Sequence, residues 1–252
     1  MKLRDIIKII EKEFPREKAY DWDNVGLLVG DENREIKKIF VTLDVTLKTV
    51  SEAIEKGAEL ILSHHPVMLS PINRITTETH EGKMLIKAIE NKVNIYAAHT
   101  NCDVAERGIN ARLAEILELS EVIPAEENGL GRIGNLKKEM NLEAFARLVT
   151  VKLNTPHIRV CGDTKSTVKR IAVGSGACSD IIPDAIEKGA EVLITGDTKY
   201  HTMLEAVEAG INVIDAGHYP TEIIVMDIFE GILKSCDIEV VRSENKDVFK
   251  FI

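Results

Sequence analysis

Three short stretches place metal-ligating residue types where apolar runs end. Leu60-Ile61-Leu62 runs into Ser63, His64, His65 and Pro66. Val93 to Ala98 runs into His99, with Cys102 and Asp103 just beyond. A third run leads to His218, Tyr219, Pro220, Thr221 and Glu222. Imidazole with carboxylate suits Zn, Fe, Mn, Co or Ni; carboxylate alone would point to Mg or Ca, and thiolate to structural zinc. Adjacent histidines leaving a strand project in different directions, so His64 and His65 serve two ions more naturally than one. His99 with Asp103, and His218 with Glu222, stand four residues apart, a spacing that shares one face if a helix begins there. A carboxylate can bridge two ions, and two metals about 3.5–4 Å apart form a common hydrolytic centre. The candidate ligands are therefore His64, His65, Asp103, His218 and Glu222.

The other histidines divide by context. His99 fits a ligand, a partner of a ligand or a proton carrier. His201, near Asp197, is a second candidate proton carrier. His80 and His157 read as ordinary surface or core histidines, and Cys102 as a bystander. Glu222 would also suit the first turn of a helix, where the dipole favours an acid, and Asp103 could hold a turn. The Gly174-Ser175-Gly176-Ala177 turn has the composition of a phosphate cradle, but its plainer reading is backbone geometry.

These residues need elements to position them. Residues 3–13 have Leu3, Ile6, Ile7 and Ile10 at helical spacing. The Asp21-Trp22-Asp23-Asn24-Val25-Gly26 turn leads into a short apolar strand, and either buries its tryptophan in a tight connection or lines a site. Residues 37–44 read as a strand; Thr46 caps the next helix, which Gly57 ends. Glu59 to Ser63 has the continuous apolar run of a strand buried in a parallel sheet. A helix is expected near 81–91, a strand at 93–98 and a helix at 109–119. Strand and helix alternate, which predicts a mostly parallel sheet with helices packed on it. Residues 125–167 break the rhythm with Gly129, Gly131 and Gly134, a helix near 142–152, Pro156 and Gly162. They read as a partly structured connection between halves spanning 1–124 and 168–252.

The halves echo one another. Ala53-Ile54-Glu55-Lys56-Gly57-Ala58-Glu59 returns as Ala185-Ile186-Glu187-Lys188-Gly189-Ala190-Glu191, each followed by three aliphatic residues. Residues 36–41 are mirrored by 168–173, and Val93-Asn94-Ile95 by Ile211-Asn212-Val213. With one residue of slack, His99 falls on His218 and Asp103 on Glu222. Three echoes in one order predict a strand–helix–strand unit used twice. In parallel α/β sheets ligands bind outside the carboxyl ends of the strands, where His64, His65, His99 and His218 all lie. The second half has Thr195-Gly196-Asp197 where the first has Ser63-His64-His65, so the two would contribute unequally.

Bulk properties narrow the function classes. The 252 residues carry a formal net charge of −9, which opposes broad electrostatic binding to nucleic acid or anionic lipid. No run approaches the roughly 18 apolar residues of a membrane span, and Met1 to Asp5 open without a leader-like apolar run. Four scattered cysteines without a C-x-x-C pair fit free thiols in a reducing cytoplasm.

Five motifs in order, Trp22-Asp23-Asn24-Val25-Gly26, Ser63-His64-His65-Pro66, His99-Thr100-Asn101-Cys102-Asp103, Gly129-Leu130-Gly131-Arg132-Ile133-Gly134 and Gly217-His218-Tyr219-Pro220-Thr221-Glu222, give the chain a resemblance to the NIF3-like family, the GTP cyclohydrolase I type 2 homologues. The resemblance implies two similar α/β lobes with a dinuclear metal site in the cleft between them. It implies ligands at His64, His65, Asp103, His218 and Glu222, with Glu222 bridging, and assembly into toroidal homohexamers. Three functions follow as expectations. The first is a metal-dependent hydrolase with two divalent transition-metal ions, acting on a nucleotide or other phosphate-containing small molecule. The others are a non-catalytic metal carrier or assembly protein, and a nucleic-acid binder inside a ring.

Overall fold

The computed structural model describes residues 1–244 and 246–250. In chain order the elements are α1 (Leu3–Glu13), β1 (Gly26–Val29), β2 (Lys38–Thr42), α2 (Leu47–Glu55), β3 (Leu60–Ser63), α3 (His80–Glu90), β4 (Asn94–Ala97), α4 (Thr100–Val104) and α5 (Ile109–Ile116). There follow β5 (Ser120–Pro124), β6 (Arg132–Asn141), α6 (Leu142–Lys152), β7 (Arg159–Cys161), β8 (Thr167–Val173), α7 (Ile182–Glu187), β9 (Val192–Thr195) and α8 (Tyr200–Glu208). The chain closes with β10 (Asn212–Asp215), α9 (His218–Glu222), α10 (Val225–Leu233) and β11 (Glu239–Arg242). No helix among the described residues is long and apolar enough to cross a membrane.

The fold is mixed α/β with two sheets, in two compact units. The first comprises Met1–Cys102 and Val225–Lys246, and the second centres on Asp103–Ile224. The first unit's sheet has the order β1-β4-β3-β2-β11. β2, β3, β4 and β11 are parallel, and β1 lies antiparallel on the edge. Strand alternation sends Phe40, Ile61 and Ile95 to a face covered by Val50 and Ala53 of α2 and by Met84, Leu85 and Ala88 of α3. Leu3, Ile6 and Ile10 form the fully buried stripe of α1. Phe14 meets Phe229 of α10 at 6.2 Å between ring centroids.

The second unit's sheet has the order β5-β6-β8-β9-β10-β7. Only β8, β9 and β10 are parallel; β5, β6 and β7 run antiparallel to their neighbours. The first sheet is mostly parallel, as strand–helix alternation implied, whereas the second is less so, because antiparallel strands flank its parallel centre. Residues 125–167, expected as a connection, supply β6, α6 and β7. The first half of β6 is buried, Ile133 and Leu136 included, and its second half is mostly exposed, so no period-two pattern marked it; it pairs along β8 from Arg132↔Val173 to Asn141↔Thr167. Val225–Lys246, within the half expected to begin at 168, joins the first unit through β11.

Each unit carries the same local pattern. Ile39 pairs with Leu60 and Leu60 with Asn94; likewise Ile171 pairs with Val192 and Val192 with Asn212. Glu59 Oε2 accepts from the backbone N–H groups of Lys37 and Lys38 at 3.0 and 2.9 Å, as Glu191 Oε2 does from Lys169 and Arg170 at 2.6 and 2.9 Å. Asn94 donates to the Glu59 carbonyl and accepts from Asp31 N–H, while Asn212 donates to the Glu191 carbonyl and accepts from Asp163 N–H. Gly30 and Gly162 press on these two amides, where a Cβ would strike the carboxamide.

Candidate metal centre

In the first unit the site grows out of the end of β3. His64 and His65 extend the parallel ladder beyond the strand, donating their N–H groups to Thr42 and Leu43 carbonyls at 3.3 and 3.0 Å. Pro66 has no N–H and ends it. β4 ends beside it, and His99 is steadied as its N–H donates to Asn101 Oδ1 at 2.9 Å, while Asn101 donates to the Phe14 carbonyl at 2.8 Å. The rings of His64, His65 and His99 lie 5.0, 5.1 and 5.6 Å apart by centroid. One nitrogen of each lies within 4.8 Å of the others.

Their Nδ1 atoms share an arrangement. His64 Nδ1 meets the Ala98 carbonyl at 2.9 Å, and since a carbonyl only accepts, Nδ1 carries the proton. His65 Nδ1 meets Asp44 Oδ1 at 2.7 Å, and His99 Nδ1 meets Asp23 Oδ1 at 2.9 Å. Burial raises the Asp23 pKa, but hydrogen bonds from His99 and Thr100 and the nearby imidazole outweigh it and bring the carboxyl down to about 2. An ionised Asp23 therefore accepts from His99. With Nδ1 turned to these oxygens, Nε2 is the ring nitrogen whose lone pair a metal would use. This anchoring of one ring nitrogen on an oxygen acceptor is the arrangement that metal-binding histidines use.

In the second unit α9 opens at Gly217, whose φ of 90° suits glycine. His218 and Glu222 share a face one turn apart, His218 Nε2 lying 2.9 Å from Glu222 Oε2. His218 Nδ1 meets Asp197 Oδ2 at 2.9 Å, repeating the imidazole–carboxylate pairing. Glu222 and Asp103 are buried.

The turn at Gly174–Gly176 joins these groups. Ser175 N–H donates to Asn110 Oδ1 at 2.8 Å, Asn110 donates to the Asp103 carbonyl at 3.1 Å, and Ser175 Oγ reaches Asp103 Oδ1 at 3.4 Å. Gly176 donates to Thr221 Oγ1 at 3.0 Å and lies so close to Glu222 that any Cβ would collide with the carboxylate. The glycine-rich turn thus brings Asp103 and Glu222 to one backbone segment. Burial pushes the neighbouring Cys178 thiol up, and both carboxylates push it further. Such a concentration of anionic oxygen favours a cation.

The glycine motif at 129–134 supports Asp103 from behind. The Arg132 guanidinium donates to the Ala105 and Gly131 carbonyls at 2.7 Å each and also to the Gly129 carbonyl. It thereby holds the backbone just after α4, which ends one residue beyond Asp103.

The asymmetry at the tips of β3 and β9 also has a physical reason. A Cβ at Gly196, the counterpart of His64, would lie 2.6 Å from the Gly217–His218 backbone. A histidine does not fit there. Asp197, the counterpart of His65, adopts a left-handed φ of 52° and orients His218 instead.

The structure thus gathers His64, His65 and His99 in one unit, and Asp103, His218 and Glu222 about one turn in the other. His201 stands exposed on α8, 5.3 Å edge-on to Tyr200, and belongs to no potential metal-ligating group among the described residues. His80 and His157 are exposed. Sequence reading missed Asp23, Asp44 and Asp197 as imidazole partners. The available signal was that Asp44 and Asp197 each stand just beyond a strand's carboxyl end.

A family model, Duf34/NIF3 (NGG1p interacting factor 3), matches residues 1–248. A Clostridium perfringens protein named GTP cyclohydrolase 1 type 2 homolog is 40% identical, with 100% of both chains covered. Among solved structures, a Bacillus cereus protein related to NIF3 superposes with a TM-score of 0.93 at 25% identity, covering 100% of this chain and 99% of that one. HcgD from Methanocaldococcus jannaschii, in its reduced form, gives a TM-score of 0.86 at 33% identity over 97% and 98% of the two chains.

Proposed function

The chain belongs to the Duf34/NIF3 family, and from that premise we propose that it is a metal-dependent hydrolase acting on a nucleotide or another phosphate-containing small molecule. In this reading His64, His65, Asp103, His218 and Glu222 hold two divalent transition-metal ions, drawn from Zn, Fe, Mn, Co and Ni. The observation that carries it is the set of anchored imidazoles. His64, His65 and His99 each set Nδ1 on an oxygen acceptor, so Nε2 is the nitrogen that His64 and His65 would offer to a metal and His99 to a proton. Divalent ions at such a site polarise substrate oxygens and activate water near neutral pH.

The protein's own groups orient and move protons. Asp44 and Asp197 hold His65 and His218 in the required tautomer. His99, backed by ionised Asp23, takes up or returns a proton at Nε2 in this reading, and exposed His201 has no assigned role. Matching registers and the recurring Glu–Asn pattern support descent of both lobes from one duplicated unit. A homohexamer is the proposed assembly, checked by light scattering, and four cysteines without a disulfide among the described residues fit the reducing cytoplasm as its setting.

The test is elemental analysis of the purified protein with turnover of nucleotides and phosphoesters after loading with each metal. Two ions per chain, lost in His65→Ala and Glu222→Gln together with turnover, are expected. Protein that retains both ions yet turns over nothing across the panel would leave a metal carrier as the better account.

A further inference from the structure

The only tryptophan of the chain is Trp22, and it is 58% exposed; Tyr200 and Phe249 are exposed too, but Trp22 is the one whose ring contacts a histidine of the first unit's cluster. An aromatic side chain gains most from leaving water, and one that is exposed yet held in place is positioned to stack on a ligand ring. Trp22 is held. The Tyr20 ring stacks with it at 5.8 Å and 24°. Tyr20 N–H donates to Thr100 Oγ1 at 3.1 Å, and Asp23 N–H donates to the Tyr20 carbonyl at 2.9 Å. Asp23 Oδ2 accepts from Thr100 N–H and Oγ1 at 3.0 and 2.5 Å, while Oδ1 meets His99. Residues 20–23 are therefore pinned at both ends to the first turn of α4.

The same pins set where the indole sits. Its ring lies 6.1 Å from His99, edge-on at 76°, and His99 is 5.1 and 5.6 Å from His64 and His65. The indole thus stands one ring away from the clustered imidazoles, and the turn that fixes it also orients His99. Stacked aromatic pairs keep centroids about 4.5–7 Å apart, so a flat ring laid on Trp22 borders His99.

We infer that Trp22 is the stacking platform for a planar heteroaromatic ring of the substrate, and that it selects ring-bearing substrates over aliphatic phosphates. This deepens the hydrolase reading and rests on it for catalysis, but the platform itself can be measured without turnover. Stacking tolerates any base, because every base has a π-face. The prediction is therefore a preference for flat rings as a class, with purines, the larger ring, ahead of pyrimidines.

As the sole tryptophan, Trp22 reports on itself. Its fluorescence is titrated with GMP, AMP, CMP and ribose 5-phosphate, in Zn-loaded and in chelated protein. Saturable quenching by GMP and AMP, weaker with CMP and absent with ribose 5-phosphate, is expected. By calorimetry Trp22→Leu should weaken GMP binding about tenfold, leave ribose 5-phosphate unchanged and be partly rescued in Trp22→Phe. Metal content measured on the same samples separates the two readings. Quenching in protein that binds no metal keeps the platform and removes the hydrolase. Metal-loaded protein that binds GMP with unaltered emission, or with equal affinity in Trp22→Leu, overturns the platform. Emission that follows protein concentration and ignores every ligand overturns it too, since the ring would then be covered by a second copy.

Discussion

Replacing Arg132 by Met tests whether the glycine motif exists to hold Asp103. The Ala105 and Gly131 carbonyls are buried and each accepts from the guanidinium at 2.7 Å. A hydrogen bond to a charged group contributes about 1.5–3 kcal/mol, and a buried carbonyl left without a donor costs about 1–3 kcal/mol. Against this stands the cost of burying the guanidinium, which lowers its pKa from the ordinary value. The balance for Arg132→Met is a loss of about 2–4 kcal/mol. Arg132→Lys should recover only part, because an ammonium lacks the planar fork that reaches several carbonyls at once. Urea unfolding at neutral pH reads the stability, with an unchanged m-value showing that the same transition is observed. Zinc affinity, measured by chelator competition on the folded variant, reads the effect on Asp103 and should fall in both variants. A Met variant within about 0.5 kcal/mol of the parent, the range of an ordinary surface change, and with parental zinc affinity would refute the argument.

Other outcomes follow from particular contacts. Asp44→Asn removes the anionic acceptor for His65 Nδ1; because Asp44 is 41% exposed, thermal stability should barely move while metal affinity drops about 10–100-fold, measured by chelator competition. Gly176→Ala places a Cβ against the Glu222 carboxylate at a φ of 58°; the backbone alone costs about 1–2 kcal/mol, and elemental analysis should find fewer bound ions. The Glu118 carboxyl is held down at about 2 by hydrogen bonds from Lys152 and then Lys137, at 2.7 and 3.0 Å. Its folded pKa is lowered, so its contribution is complete above the ordinary carboxylate range and disappears as pH falls through about 2. An NMR titration should locate that midpoint, and the small deficit of Glu118→Gln at pH 7 should shrink in high salt.

Much of the fold could be read from local residue patterns. α1 follows the spacing of Leu3, Ile6 and Ile10, and Thr46 caps α2 with its side chain accepting from Thr49 N–H. Gly57 takes a φ of 72° just past that helix. These features depend on neighbours within a turn or two of chain. The histidines at the strand ends were equally legible, since their types and the breaks after apolar runs are local facts. The mates of the imidazoles were not. Asp23 lies 76 positions from His99, Asp44 lies 21 from His65, and Asp197 lies 21 from His218. Nor could local pattern set β6 between β5 and β8 or carry β11 back to β2, because long-range backbone pairing makes both placements. The sequence alone determined which residues could bind metal and on which elements they ride. Only the tertiary structure decided which nitrogen each histidine presents, because that depends on the oxygen that packing delivers to its other side.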